Sequence, residues 1–266
     1  MIGPSERKAA SRVIIALDFP SPLEAEPFLA RWGGREKPFV KVGMQLFYAA
    51  GPVWVKGLVE AGYPVFLDLK LHDIPHTVAG AVSSLTRLGV RLLTLHASGG
   101  RAMMEAAREA VEAASGPEPL RLLAVTQLTS TDQRMMNEEL GISGPVRESV
   151  LNLAHLARRS GIDGVVCSGE EAAWIKAQVS GELLTVTPGI RLEGQERGDQ
   201  KRVMTPEAAV RGGADLLVVG RPIIRSADPV ATYEAIVEQI QWKERGHPWI
   251  KPKCGGWKKR WNGGGC

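Results

Sequence analysis

The sequence predicts a (β/α)8 TIM barrel, built as a single domain over residues 11–242 and followed by a basic, Trp- and Gly-rich tail over 243–266 that is expected to be disordered. Three observations predict it. Short apolar runs recur eight times, each followed by a stretch of helical period. Polar residues collect just after those runs, at the strand ends where a barrel carries its chemistry. No G-x-G-x-x-G follows the first run and no G-x-x-x-x-G-K-[ST] occurs, so the alternative of a doubly wound open sheet lacks its usual signatures.

In chain order, Val13–Leu17 is the first strand, followed by Asp18 and a helix over Pro22–Trp32. The strand Phe39–Val42 carries Lys41 and leads to the helix Pro52–Ala61. Val65–Leu69 ends in charge and precedes Pro75–Leu88, in which Pro75 suits a first helical position. Leu92–Leu95 runs into His96 and the helix Arg101–Ala114. Leu122–Val125 precedes Thr129, Ser130 and the helix Val146–Ser160. Gly164–Cys167 leads to Glu170–Gln178, and Leu183–Thr187 to Arg191 and then Thr205–Arg211. There Thr205-Pro206-Glu207 reads as an N-cap with Pro at the first helical position. Leu216–Val219 closes the series before Gly220-Arg221 and the helix Pro229–Gln241.

Charge is unevenly placed. From Lys243 onward seven Lys and Arg face Glu244 alone, a local +6, so the formal +4 of the chain leaves −2 on the first 242 residues. Basicity belongs to the tail, and the body gives no sign of binding nucleic acid. Four of the seven Trp also lie from Trp242 onward, a mixture with no helical or strand period. No apolar stretch is long enough for a membrane span. The polar segment Met1–Arg12 lacks a signal core, and Cys167, Cys254 and Cys266 form no C-x-x-C pair. A cytoplasmic protein is expected, with Cys167 as a small core residue.

The segment with the most chemical content is Asp68-Leu69-Lys70-Leu71-His72-Asp73-Ile74-Pro75-His76-Thr77. Side chains alternate across a strand, so Asp68 and Lys70 project to one side, with Asp73 just past the strand end. Charges crowded at the rim of a core are costly to desolvate unless they pair. Such a cluster is either a structural ion-pair network or a catalytic one.

The chain resembles the bacterial orotidine 5′-phosphate decarboxylase family over roughly Val13 to Gln241. The resemblance rests on Ile15-Ala16-Leu17-Asp18, Val40-Lys41-Val42-Gly43, the Asp68–Thr77 segment and Leu95-His96-Ala97-Ser98-Gly99-Gly100. It continues through Leu128-Thr129-Ser130, Thr187-Pro188-Gly189-Ile190-Arg191, Gly198-Asp199-Gln200 and Gly220-Arg221-Pro222. D-x-K-x-x-D alone is shared with sugar-phosphate enzymes of the same superfamily; the ordered set is far more specific. His76 departs from the family's usual Asn.

The resemblance implies decarboxylation of orotidine 5′-phosphate to UMP and CO2 by a network of Lys41, Asp68, Lys70 and Asp73, with Lys70 as proton donor to C6 of the pyrimidine. It implies a homodimer in which Asp73 and Thr77 are contributed across the interface. Asp18 and Lys41 are expected at the ribose, and Thr129 and Ser130 at the pyrimidine edge. Arg191, Gln200, Gly220 and Arg221 are expected at the phosphate, with 192–201 as a lid. No metal or organic cofactor is expected. Related barrels acting on sugar phosphates use Mg²⁺, and His72 and His96 beside carboxylates keep that alternative open. A nucleotide sensor on a degenerate barrel is a third reading. His155 reads as an ordinary helix residue.

Overall fold

Eight parallel strands close into a barrel in chain order, each beside the next and the last beside the first. The computed structural model describes residues 12–114, 120–192 and 204–246. Residues before Arg12, most of the expected lid including Gln200, and the tail from His247 lie outside the described residues.

The strands are β1 (Val13–Ala16), β2 (Phe39–Gly43), β3 (Val65–Leu71), β4 (Leu92–His96), β5 (Arg121–Val125), β6 (Gly164–Val166), β7 (Leu184–Thr187) and β8 (Leu216–Val219). Around them lie α1 (Pro22–Ala30), α2 (Met44–Glu60), α3 (Pro75–Thr86), α4 (Gly100–Glu112), α5 (Val146–Arg159), α6 (Gly169–Gln178), α7 (Pro206–Arg211), α8 (Arg221–Ile224) and α9 (Pro229–Gly246). The predicted TIM barrel is therefore the observed architecture. Thr205 caps α7 as expected, its hydroxyl accepting the Ala208 N–H at 3.3 Å.

Differences fall at element ends. The second helix was expected from Pro52, but a helical stretch already begins at Met44 and meets the Pro52 segment across a kink at Gly51. Gly51 has φ 76°, a left-handed conformation that only glycine adopts cheaply, and Pro52 then restarts the helix. Three short pieces were not expected: the 3₁₀ turn Ala97–Gly99, the π-helical turn Met135–Glu139 and the helix α8 directly after β8.

Strand alternation sorts the side chains into two sets. Outward residues such as Ile15, Val40, Leu67, Leu93 and Leu122 join the core between sheet and helices. Inward residues Ile14, Ala16, Phe66, Leu92, Leu123, Val186 and Val218 fill the barrel interior. The same inward parity, carried on along the strands, reaches Asp18 after β1, Lys41 on β2, Asp68 on β3, Thr94 and His96 on β4, and Gly220 after β8. Apolar layers support a polar one. The strand registers keep those positions level, with Ala16 opposite Lys41 and Gly43 opposite Asp68.

Candidate active site

Asp68 sits at the centre of the polar layer, and each of its oxygens is held by a cation. Lys70 Nζ donates to Oδ1 at 2.7 Å, and Lys41 Nζ lies 3.3 Å from Oδ2. The Thr94 hydroxyl adds a third donor, 3.1 Å from Oδ1. Lys41 also lies 3.6 Å from Oδ1 of Asp18 and so bridges two carboxylates. Burial by itself pushes the Asp68 carboxyl up. The charges of Lys41 and Lys70 and the hydrogen bonds from Lys70 and Thr94 outweigh it, and the group is held below the ordinary aspartate range.

Glycines clear the ground for these charges. A Cβ at Gly43 would stand 3.3 Å from Lys41 Nζ, and one at Gly220 would stand 3.0 Å from Asp18 Oδ2 and 3.3 Å from the Ala16 Cβ. A side chain at either position would press directly on the ion pairs.

The stretch of β3 that carries Asp68 and Lys70 is irregular. Opposite β4 the register steps from Leu67↔Leu93 to Leu71↔Leu95, four residues against two. The surplus is absorbed as a bulge, a device that re-aims side chains beside active sites. Lys70 has φ 52°, and among the described residues it is the sole non-glycine with a positive φ. That conformation costs on the order of 1–2 kcal/mol in an L-residue. Strain of this kind persists only where the surroundings impose it.

His96 ends β4 with its ring 5.3 Å from that of His72. Burial, then the nearby His72 and Lys70, hold its imidazole below the usual histidine range despite the opposing pull of Asp68. Among the described residues no three His, Cys, Asp or Glu side chains group so as to hold a metal ion.

A cavity of about 460 Å³ opens above the network, a size suited to a small ligand. Of the residues singled out from sequence, Asp18, Lys41, Asp68, Lys70, Thr129, Arg191, Gly220 and Arg221 line it. Arg191 is buried, with an Nη1–H donated to its neighbour Ile190 O at 2.8 Å. Ser130, Asp73 and Thr77 are exposed and do not line the cavity of this chain. The Asp73 carboxylate instead accepts the Ile74 N–H at 2.7 Å, just before α3 begins. Gln200 belongs to the undescribed segment.

Sequence reasoning missed Thr94, Gln127 and Arg225. Thr94 binds Asp68 directly, and the other two line the cavity. Thr94 could have been found from parity alone, since it precedes His96 by two residues on the same strand.

The family model described as "Orotidine 5'-phosphate decarboxylase / HUMPS family" matches residues 11–236. The chain is 52% identical over 234 residues to the orotidine 5′-phosphate decarboxylase of Geobacillus kaustophilus, covering 87% of this chain and 96% of that protein. It is 54% identical over 226 residues to the namesake from Cutibacterium acnes, covering 85% and 94%. A crystal structure of orotidine 5′-phosphate decarboxylase from Lactobacillus acidophilus superposes with a TM-score of 0.78 at 40% identity, covering 86% of this chain and 99% of that one.

The depressed Asp68 carboxyl has a measurable consequence. Its ionised form contributes stability above the unfolded-state value of about 3.9, and that contribution is lost as pH falls through the lower folded value. Urea unfolding of the parent and of Asp68→Asn should show the difference in unfolding free energy moving in the parent's favour as pH rises from about 3 to about 5. A difference that stays flat across that range would contradict the charge clamp.

Proposed function

This chain belongs to the orotidine 5′-phosphate decarboxylase / HUMPS family, and we propose that it converts orotidine 5′-phosphate to UMP and CO2 through the Lys41–Asp68–Lys70 network. The observation that carries the reading is the doubly clamped Asp68 carboxylate in the same cavity that Arg191, Gly220 and Arg221 line. One region offers alternating charge for the reacting carbon. The other offers two guanidiniums and a side-chain-free backbone, the donor set a phosphate dianion wants.

In this reading the bond between C6 and the substrate carboxylate breaks, and its electron pair stays on C6 as CO2 leaves. The ammonium of Lys70 stabilises the developing carbanion and gives it a proton, forming UMP. Lys70 is left as a neutral amine, which regains its proton from water. Asp68 holds Lys70 by a 2.7 Å hydrogen bond and places negative charge beside the departing carboxylate, a repulsion that vanishes with CO2. Lys41 balances Asp68 and, with Asp18, binds the ribose hydroxyls. Thr129, which lines the cavity, meets the pyrimidine edge. Arg191, Gln200, Gly220 and Arg221 take the phosphate, whose binding energy orients the ring although it does not react.

The network becomes a neutral quartet with Asp73, which we assign, together with Thr77, to the active site of a second copy in a homodimer. Both residues are exposed in this chain, and Ile74 between them is 66% exposed. A strand-to-helix corner that presents an apolar side chain beside a carboxylate suits a subunit interface. We place the reaction in the cytoplasm, where the buried free thiol of Cys167 stays reduced. Among the described residues no helix is long and apolar enough to cross a membrane.

Purified protein should deplete orotidylate absorbance in the presence of EDTA. Lys70→Ala should lower that rate by at least about 1000-fold. UMP binding by calorimetry should meanwhile change by less than about 10-fold. Near-normal turnover in that variant would exclude Lys70 as the proton donor.

The shared site is tested by mixing two inactive variants, Lys70→Ala and Asp73→Asn. Random exchange of subunits rebuilds one intact site per heterodimer, giving about one quarter of parental activity. No recovery after exchange, verified with tagged subunits, would contradict the interface assignment.

A further inference from the structure

Thr94 faces the barrel interior from β4 and is fully buried, yet its hydroxyl is used in both directions. It accepts the backbone N–H of Lys70 at 2.8 Å and donates to Asp68 Oδ1 at 3.1 Å. In a regular parallel ladder that N–H would pair with a carbonyl of the neighbouring strand. The bulge between Leu67 and Leu71 interrupts the ladder there, and the hydroxyl supplies the acceptor. The result is a closed ring: Lys70 N–H to Thr94, Thr94 to Asp68, and Asp68 back to Lys70 Nζ at 2.7 Å. Each link fixes a different degree of freedom. The first holds the left-handed backbone of Lys70 at φ 52°, the second orients the carboxylate, and the third aims the ammonium.

We propose that Thr94 is a positioning residue for the decarboxylation, coupling the strained backbone of Lys70 to the carboxylate that its own ammonium binds. The inference rests on the decarboxylase reading above and extends it to a side chain that touches no substrate atom. A hydroxyl there does what a carbonyl of a regular strand could not, because it serves as acceptor and donor at one atom. Val has nearly the same shape but neither capacity. In its place the Lys70 N–H would be buried without an acceptor, and Asp68 would lose one of its donors.

The groups facing Asp68 are Lys41 from β2, Lys70 from its own strand, and Thr94 and His96 from β4, with Asp18 beyond Lys41. All except Thr94 are unchanged in Thr94→Val, so a shift in pH dependence is assigned to the lost hydroxyl. A hydrogen bond to the carboxylate favours its ionised form, and removing it raises the pH at which Asp68 takes up a proton.

The test is steady-state turnover of orotidine 5′-phosphate across pH by the parent, Thr94→Val and Thr94→Ser. Thr94→Val should lower kcat by about 10- to 100-fold, the cost of a misaimed catalytic group. KM should change by less than about three-fold, since no substrate contact is lost. The acid limb of the kcat profile should move to higher pH. Thr94→Ser, which keeps the hydroxyl, should bring kcat back to within about three-fold of the parent and restore the acid limb. Parental kcat in Thr94→Val, a loss confined to KM, or a loss that Ser does not recover would each overturn the proposal. Should Thr94→Val give no cooperative melt, Thr94→Cys fills the same space with a poor donor and must show the same fall in kcat; parental kcat in that variant overturns the proposal equally. The parent assay separates the two levels. An inactive parent refutes the decarboxylase reading, whereas an active parent with an equally active Val variant refutes the role of Thr94 alone.

Discussion

A carboxylate taken out of water and held between two ammonium groups is the constraint that organises the mouth of this barrel. Unpaired, the Asp68 charge would cost several kcal/mol to bury, and a protonated Asp68 could neither orient Lys70 nor repel an anion. The counter-charges of Lys41 and Lys70 and the hydroxyl of Thr94 offset that cost and hold the carboxyl below its ordinary range. Neighbouring features follow from accommodating this group. Gly43 and Gly220 leave room beside Lys41 and Asp18, and across the β3 bulge the Lys70 N–H is accepted by Thr94. The strained φ of Lys70 persists because its N–H and its ammonium are both anchored.

The scaffold supplies this arrangement through parity and register. Inward positions low in the barrel are filled by Ile14, Phe66, Leu92, Leu123, Val186 and Val218, which pack as an apolar plug. Two residues further along their strands the same inward direction delivers Ala16, Asp68 and Thr94, and Lys41 lies level with Ala16 on the neighbouring strand. Because the strands are parallel, all of these residues emerge at one end. A one-residue slip of β3 would turn Asp68 and Lys70 toward the helices and bring Leu67 and Leu69 inside, so the packing that stabilises the barrel also fixes the chemistry.

Much of this was legible in the chain. Eight apolar runs such as Val13–Leu17 and Leu216–Val219 announce buried parallel strands, and alternation alone places Asp68 and Lys70 on one side. Thr205-Pro206 named a helix start to the residue. What stayed hidden depends on three dimensions. The β3 bulge arises from how β3 must match β4, and nothing in Asp68-Leu69-Lys70 signals a left-handed backbone at a lysine. Strand parity marks Thr94 as inward-facing, but it carries no motif of its own, and its importance comes from the two groups that converge on it. The helical stretch before Gly51 was masked by Pro52, which reads as a helix start and is one, though of the second half. Asp73 and Thr77 do not line this chain's cavity, and their expected place in a second subunit rests on the family resemblance and not on strand parity.

The central claim is that Lys70, steered by Asp68, delivers the proton to the pyrimidine. A crystal structure with UMP bound tests it most directly. The account predicts the Lys70 Nζ within hydrogen-bonding range of the ring carbon C6, with Asp68 still bound to that ammonium and the phosphate against Arg191 and Arg221. An Nζ turned away from C6, or a pyrimidine ring seated elsewhere in the cavity, would contradict it.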